Sequence, residues 1–125
     1  MANRVITQEI SKKNLIIREF IQGETVALKD GETVKYGDVL IFDAAEKKYV
    51  KYVKATHKSK LGDAILRVYK GADIDTAKDA RAIVVRQGEL NAKAVNGNFE
   101  EEKDADDYKL IAQLERMNIL LMEVE

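Results

Sequence analysis

The stretch Val26-Ala27-Leu28-Lys29-Asp30-Gly31-Glu32-Thr33-Val34-Lys35-Tyr36-Gly37-Asp38-Val39-Leu40-Ile41-Phe42 decides the fold class. Its short runs of β-branched and aromatic residues, broken by Gly and Asp, have the texture of strands and not of helices. Asp30-Gly31 is the strongest two-residue hairpin signal in the chain, so a strand over 25–29 is expected to pair with one over 32–35. Tyr36-Gly37-Asp38 supplies a second turn. The unbroken apolar run from Val39 to Phe42 then predicts a strand buried on both faces, at the heart of the core.

Outward from this stretch the same texture continues. Strands are expected over 15–21, 49–54, 64–69 and 82–86, which makes about seven short strands, and 119–124 reads as a closing strand. One helix is predicted, over 104–117. Asp104 is placed to cap it, Asp106 and Asp107 suit the positive end of its dipole, and Leu110, Ile111, Leu114 and Met117 fall on one face. Asn118 can end it in a left-handed cap. The fold class is therefore mainly β with one C-terminal α-helix.

At 125 residues and 46% hydrophobic, the chain has material for one core. Residues 1–14 are polar apart from Val5, Ile6 and Ile10, too little to bury alone, so they read as an extended N-terminal arm ahead of a single domain over 15–125. The net charge of -1, from 21 basic and 22 acidic side chains, gives no global field toward nucleic acid or anionic lipid; neither is expected as a partner. Cysteine is absent, which removes disulfides, thiolate metal sites and Cys nucleophiles together. With no apolar run of signal-peptide or membrane-span length, the expectation is a soluble protein made and kept in the cytoplasm.

Candidate chemistry is sparse. His57, Ser59 and Asp63 are the residue types of a hydrolytic triad, but no nucleophile-elbow motif surrounds Ser59, and a solvated loop over 56–60 is the simpler expectation. Glu100, Glu101, Glu102, Asp104, Asp106 and Asp107 could gather calcium, yet they lack the spacing of a calcium loop, and a helix N-terminus accounts for the last three. The seven glycines form no phosphate cradle. Lys47, Lys48, Lys51 and Lys54 are the densest basic group, without the basic-aromatic interleaving of a single-strand binding sheet. No cofactor, no metal and no enzymatic activity are expected.

Two stretches carry a resemblance. The first is 26–40, quoted above. The second runs Ala80-Arg81-Ala82-Ile83-Val84-Val85-Arg86-Gln87-Gly88-Glu89-Leu90-Asn91, then a loop, then Leu110 to Leu121 with a Leu-x-x-x-Asn-Ile ending. In order and spacing over roughly 24–122 they resemble the lambda-type bacteriophage head decoration proteins, whose pattern reads A-x-V-V-x-x-G-x-hydrophobic-Asn and ends L-x-x-x-G-I. Asn118 stands where that family has Gly, and the acidic stretch 100–107 replaces a Pro-containing loop.

The resemblance implies a β-clip-like fold and a late, structural virion protein. It would sit as a homotrimer on the outer surface of the expanded capsid, bound to the major capsid protein, and act as a cement against the pressure of packaged DNA. The arm then acquires a role: Arg4, Val5, Ile6, Thr7 and Ile10 are expected to add a strand to the edge of a capsid-protein sheet. The alternative is a small β-domain adhesin or tail accessory module binding host-surface glycans, for which 6% aromatic residues and no Trp are poor equipment. A lipoyl-type carrier shares the hairpin texture but would need a modifiable lysine at a hairpin tip.

Overall fold

The computed structural model describes residues 14–97, 99 and 103–123. Apart from Asn14, the arm lies outside them. The chain forms β1 (Ile16–Glu19), β2 (Glu24–Ala27), β3 (Val39–Asp43) and β4 (Lys48–Lys51), then α1 (Lys54–His57), which runs into a 3-10 segment (Lys58–Asp63). β5 (Leu66–Tyr69), β6 (Arg81–Val85), β7 (Gly88–Asn91), α2 (Ala105–Arg116) and β8 (Ile119–Met122) follow. A five-stranded sheet has the order β2-β6-β5-β3-β4, and a three-stranded one β1-β7-β8. Neighbours are antiparallel except β7 and β8, a parallel pair for which α2 provides the crossover. The fold is mainly β with a C-terminal helix, as the sequence texture predicts.

β3 explains why its sequence is apolar without interruption. Val39 and Ile41 face one cluster with Leu66, Val68 and Val85, covered by Leu110 and Leu114 of α2 and by Leu90 and Ile119 of the small sheet. Leu40 points the other way, into a second cluster with Val26, Leu28, Val34, Tyr49, Tyr69, Ala82 and Val84. Alternate residues of one strand thus supply two cores. The larger sheet curls around the second core until Leu28, just past β2, bridges to Tyr49 on the opposite edge strand.

The hairpin expected between 25–29 and 32–35 does not form. Its turn is present, with Gly31 at φ 91. The chain leaving the turn pairs elsewhere: Val34 and Ile74 exchange backbone hydrogen bonds of 2.9 and 2.7 Å, and Ala77 N–H donates to Glu32 O at 2.8 Å. β2 takes β6 as its partner, from Glu24↔Val84 to Ala27↔Arg81. An isolated two-stranded hairpin buries little, whereas the long-range pairing puts Val34 at 0% exposure and Leu28 at 1% in one interior. The Asp30-Gly31 signal marks the turn correctly and leaves the partner undetermined.

The helix follows its sequence closely. Asp104 accepts from Asp107 N–H while the Asp107 side chain accepts from Asp104 N–H, a reciprocal capping box. Asn118 sits at φ 63, the left-handed cap expected of it. The polar stretch 56–60, expected as loop, is helical instead. Val53 O accepts from Thr56 N–H and His57 N–H, so the strand expected over 49–54 ends at Lys51. β7 is a separate strand that sequence texture alone leaves fused to a turn.

Candidate functional site

Several polar groups meet at the buried Asp38, at the turn into β3. Gly37 holds φ 90 there, and a Cβ on it would lie 2.2 Å from Ala94 O, so the turn can press against the loop after β7 only with glycine. Asp38 is 2% exposed. Its Oδ2 accepts from Lys35 N–H at 2.8 Å and lies 3.7 Å from Lys51 Nζ, while its Oδ1 accepts from Asn96 Nδ2 at 2.8 Å. The same Asn96 nitrogen donates to Tyr36 O at 2.9 Å, and Asn96 N–H donates to Gly37 O at 2.9 Å. Buried charge is tolerated when it is paired and hydrogen-bonded, and Asp38 is both.

Asp38, Lys51 and Asn96 line a groove of about 390 Å³, with Val39, Tyr52, Phe99 and Leu110 as its apolar wall and Lys54 and Asp107 also on its lining. The Tyr52 hydroxyl is buried with no hydrogen-bond partner among the described residues. Burial pushes its ionisation up, and the nearby Asp106 adds to that, so the phenol is a neutral donor in this groove.

Next to the groove, α1 is clamped to the start of α2. Lys54 bridges Asp104 and Asp107, the latter at 3.2 Å, and Lys58 lies 3.6 Å from Asp106. The Lys54 ammonium beside Asp104 and the backbone N–H of Asp107 hold the Asp104 carboxyl down at about 2. Lysines and helix N-terminus thus account for these three acids, and among the described residues no cluster of three metal-ligating side chains occurs. Glu100, Glu101 and Glu102 lie outside the described residues.

The triad types diverge. His57 and Asp63 line one cleft, together with Phe42, Asp43 and Lys60, whereas Ser59 lines another, with Gly62, Lys109 and Arg116. His57 Nδ1 accepts from Val53 N–H at 2.8 Å, which commits that nitrogen to a structural bond. Burial and the Lys60 charge push the imidazole below its ordinary value. The basic group is likewise divided: Lys51 and Lys54 face acids, while Lys47 occupies a left-handed position, φ 57, between β3 and β4.

Arg4, Val5, Ile6, Thr7 and Ile10 lie outside the described residues. Leu15 is wholly buried, its N–H donating to the Tyr36 hydroxyl at 3.0 Å and its carbonyl accepting from Asn91 N–H at 2.8 Å. β1 follows as an edge strand, with Ile17 48% exposed. Among the described residues no helix is long and apolar enough to cross a membrane.

Sequence reasoning missed the Asp38 hub. Gly37-Asp38 reads as a turn, and nothing local indicates that its carboxylate is buried against a loop almost sixty positions later. The one available signal is Asn96-Gly97, a turn dipeptide whose amide can reach another segment. No family model, no curated protein and no solved structure matches the chain.

Proposed function

We propose that the chain is a structural decoration protein, seated as trimers on the outside of an expanded phage head and bracing it against internal pressure. Its partners in this reading are the major capsid protein and further copies of itself, and its place is the virion surface after synthesis in the host cytoplasm. The reading rests on the resemblance of 26–40 and 80–121 to lambda-type decoration proteins. The observation that supports it most is the order of elements in the second of these stretches, with the helix ending in a left-handed cap. β6, β7, α2 and β8 succeed one another, and Asn118 takes the left-handed position that the family fills with Gly.

A second support comes from β1. It is an edge strand, and the arm leads straight into it, so a strand added by the arm to a neighbouring sheet would be anchored at the buried Leu15. Ordering such an arm on binding costs conformational entropy, offset by main-chain hydrogen bonds and by the many copies attached to one shell. A clamp of this kind needs no catalytic centre.

Co-sedimentation with expanded and unexpanded empty capsids tests the reading. Saturable binding to expanded shells only is the expected result, and loss of that binding on removal of residues 1–14 is expected if the arm carries it. Absence of binding to either shell would refute the proposal, and glycan-array binding in its place would favour the adhesin.

A further inference from the structure

The Asp38 hub has a chemistry that neither packing nor head binding requires. One carboxylate, almost wholly buried, touches both a lysine amine and an asparagine carboxamide: Oδ2 lies 3.7 Å from Lys51 Nζ and Oδ1 accepts from Asn96 Nδ2 at 2.8 Å. Amine, carboxamide and proton carrier are the three parts of an amide exchange, and holding them together in one groove replaces a bimolecular encounter by an intramolecular one. Val39, Tyr52, Phe99 and Leu110 line the same groove as these three groups and give it an apolar wall.

We propose that Lys51 and Asn96 form an intramolecular isopeptide bond with Asp38 as the catalytic proton carrier. In this reaction Asp38 takes a proton from the Lys51 ammonium, and the free Nζ attacks Cγ of Asn96. Asp38 returns the proton to Nδ2 as the Cγ–Nδ2 bond breaks. The tetrahedral centre collapses to the Nζ–Cγ amide, Nδ2 leaves as ammonia, and the remaining proton from Nζ goes with it, so ammonium is released and Asp38 is again a carboxylate. No oxidant or co-reactant is needed.

The bond would tie the end of β4 to the loop that follows β7, joining the larger sheet to the smaller one. A chain without cysteine has no disulfide with which to make such a brace. Asn96 is fixed for this role from several directions. Its amide nitrogen is also held by Tyr36 O, its N–H by Gly37 O, and the following Gly97 adopts φ 134 with its Cα packed on the Phe99 ring, where a Cβ would lie 2.5 Å from Cε2.

Intact-mass and peptide-mapping measurements on the folded full chain test the proposal. The expected result is a wild-type protein lighter than its sequence by one ammonia, with a branched peptide joining Lys51 to Asn96. Lys51→Arg and Asp38→Ala should both keep their full sequence masses. Lys51 has a half-exposed side chain, so Lys51→Arg leaves the fold intact even if Asp38→Ala does not. A wild-type chain of full sequence mass overturns the proposal. So does an ammonia loss that persists in Lys51→Arg, because that loss belongs to an imide formed by the Gly97 backbone nitrogen.

Discussion

The backbone N–H of Val53 donates to Nδ1 of His57 at 2.8 Å, closing the first turn of α1 through a side chain. Nδ1 can accept that bond only while it carries no proton. Burial, with the Lys60 charge second, lowers the affinity of the folded imidazole for a proton. The unfolded chain therefore protonates first as pH falls. His57 contributes its full stability above its ordinary value of 6.5 and loses it as pH drops through 6.5 toward the folded value. Denaturant midpoints measured from pH 8 to pH 5 should decline in the wild type. His57→Gln, which keeps an acceptor without titrating, should flatten that decline; an unchanged decline would show that His57 is not its source.

A second acid-dependent loss is expected at lower pH, from Asp104. Its carboxyl titrates from an ordinary 3.8 when unfolded to about 2 when folded, so its contribution is present above 3.8 and disappears between 3.8 and about 2. Asp104 is exposed, and salt should weaken the effect. Asp104→Asn keeps a capping oxygen but removes the charge facing Lys54, and should be less destabilising at pH 7 than Asp104→Ala, which removes both. The measurement is helix content and unfolding midpoint for the two variants at low and high ionic strength.

The helix and its caps were legible because their signals are local: Asp104, the Leu110/Leu114 face and Asn118 each act on groups only a few residues away. Val39 to Phe42 was legible too, since a strand with a core on each side leaves no room for polar alternation. Partner choice was not. The Asp30-Gly31 turn specifies a reversal, but whether Val34 meets 25–29 or Ile74 depends on which arrangement buries more apolar surface, a property of segments distant in sequence. The Asp38 hub was hidden for the same reason. Its polar partners come from separate parts of the chain, and an aspartate after Gly looks the same whether it is solvated or buried.

Asn118 pays for its position in backbone strain that glycine would avoid. At φ 63 a residue with a Cβ is disfavoured, with Asn among the better tolerated, and its Nδ2 also reaches Gln87 Oε1 at 3.3 Å. Asn118→Ala should destabilise the fold by about 1 kcal/mol, the lower end of the left-handed penalty, because Asn already bears part of it. Asn118→Gly should be close to neutral, relief of strain being offset by the greater freedom of the unfolded chain. Equilibrium urea unfolding of both variants distinguishes these outcomes. Equal effects from Ala and Gly would mean that the Gln87 contact, and not the backbone, sets the preference.

The two cores predict how their mutations combine. Leu28 and Leu114 are both essentially buried, Leu28 within the curl of the larger sheet and Leu114 on the inward face of α2, on the sheet's other side. Each truncation to Ala removes buried methyl groups and leaves a cavity, at a cost of about 2–5 kcal/mol. The residues belong to different clusters, separated by the sheet, so the double variant should lose the sum of the single losses to within about 0.5 kcal/mol. By contrast Leu66 packs in the same cluster as Leu114, and the pair Leu66→Ala with Leu114→Ala should deviate from additivity as the shared cavity relaxes. A strong coupling between Leu28 and Leu114 would mean that the strands of the larger sheet shift as a unit and that the two cores behave as one.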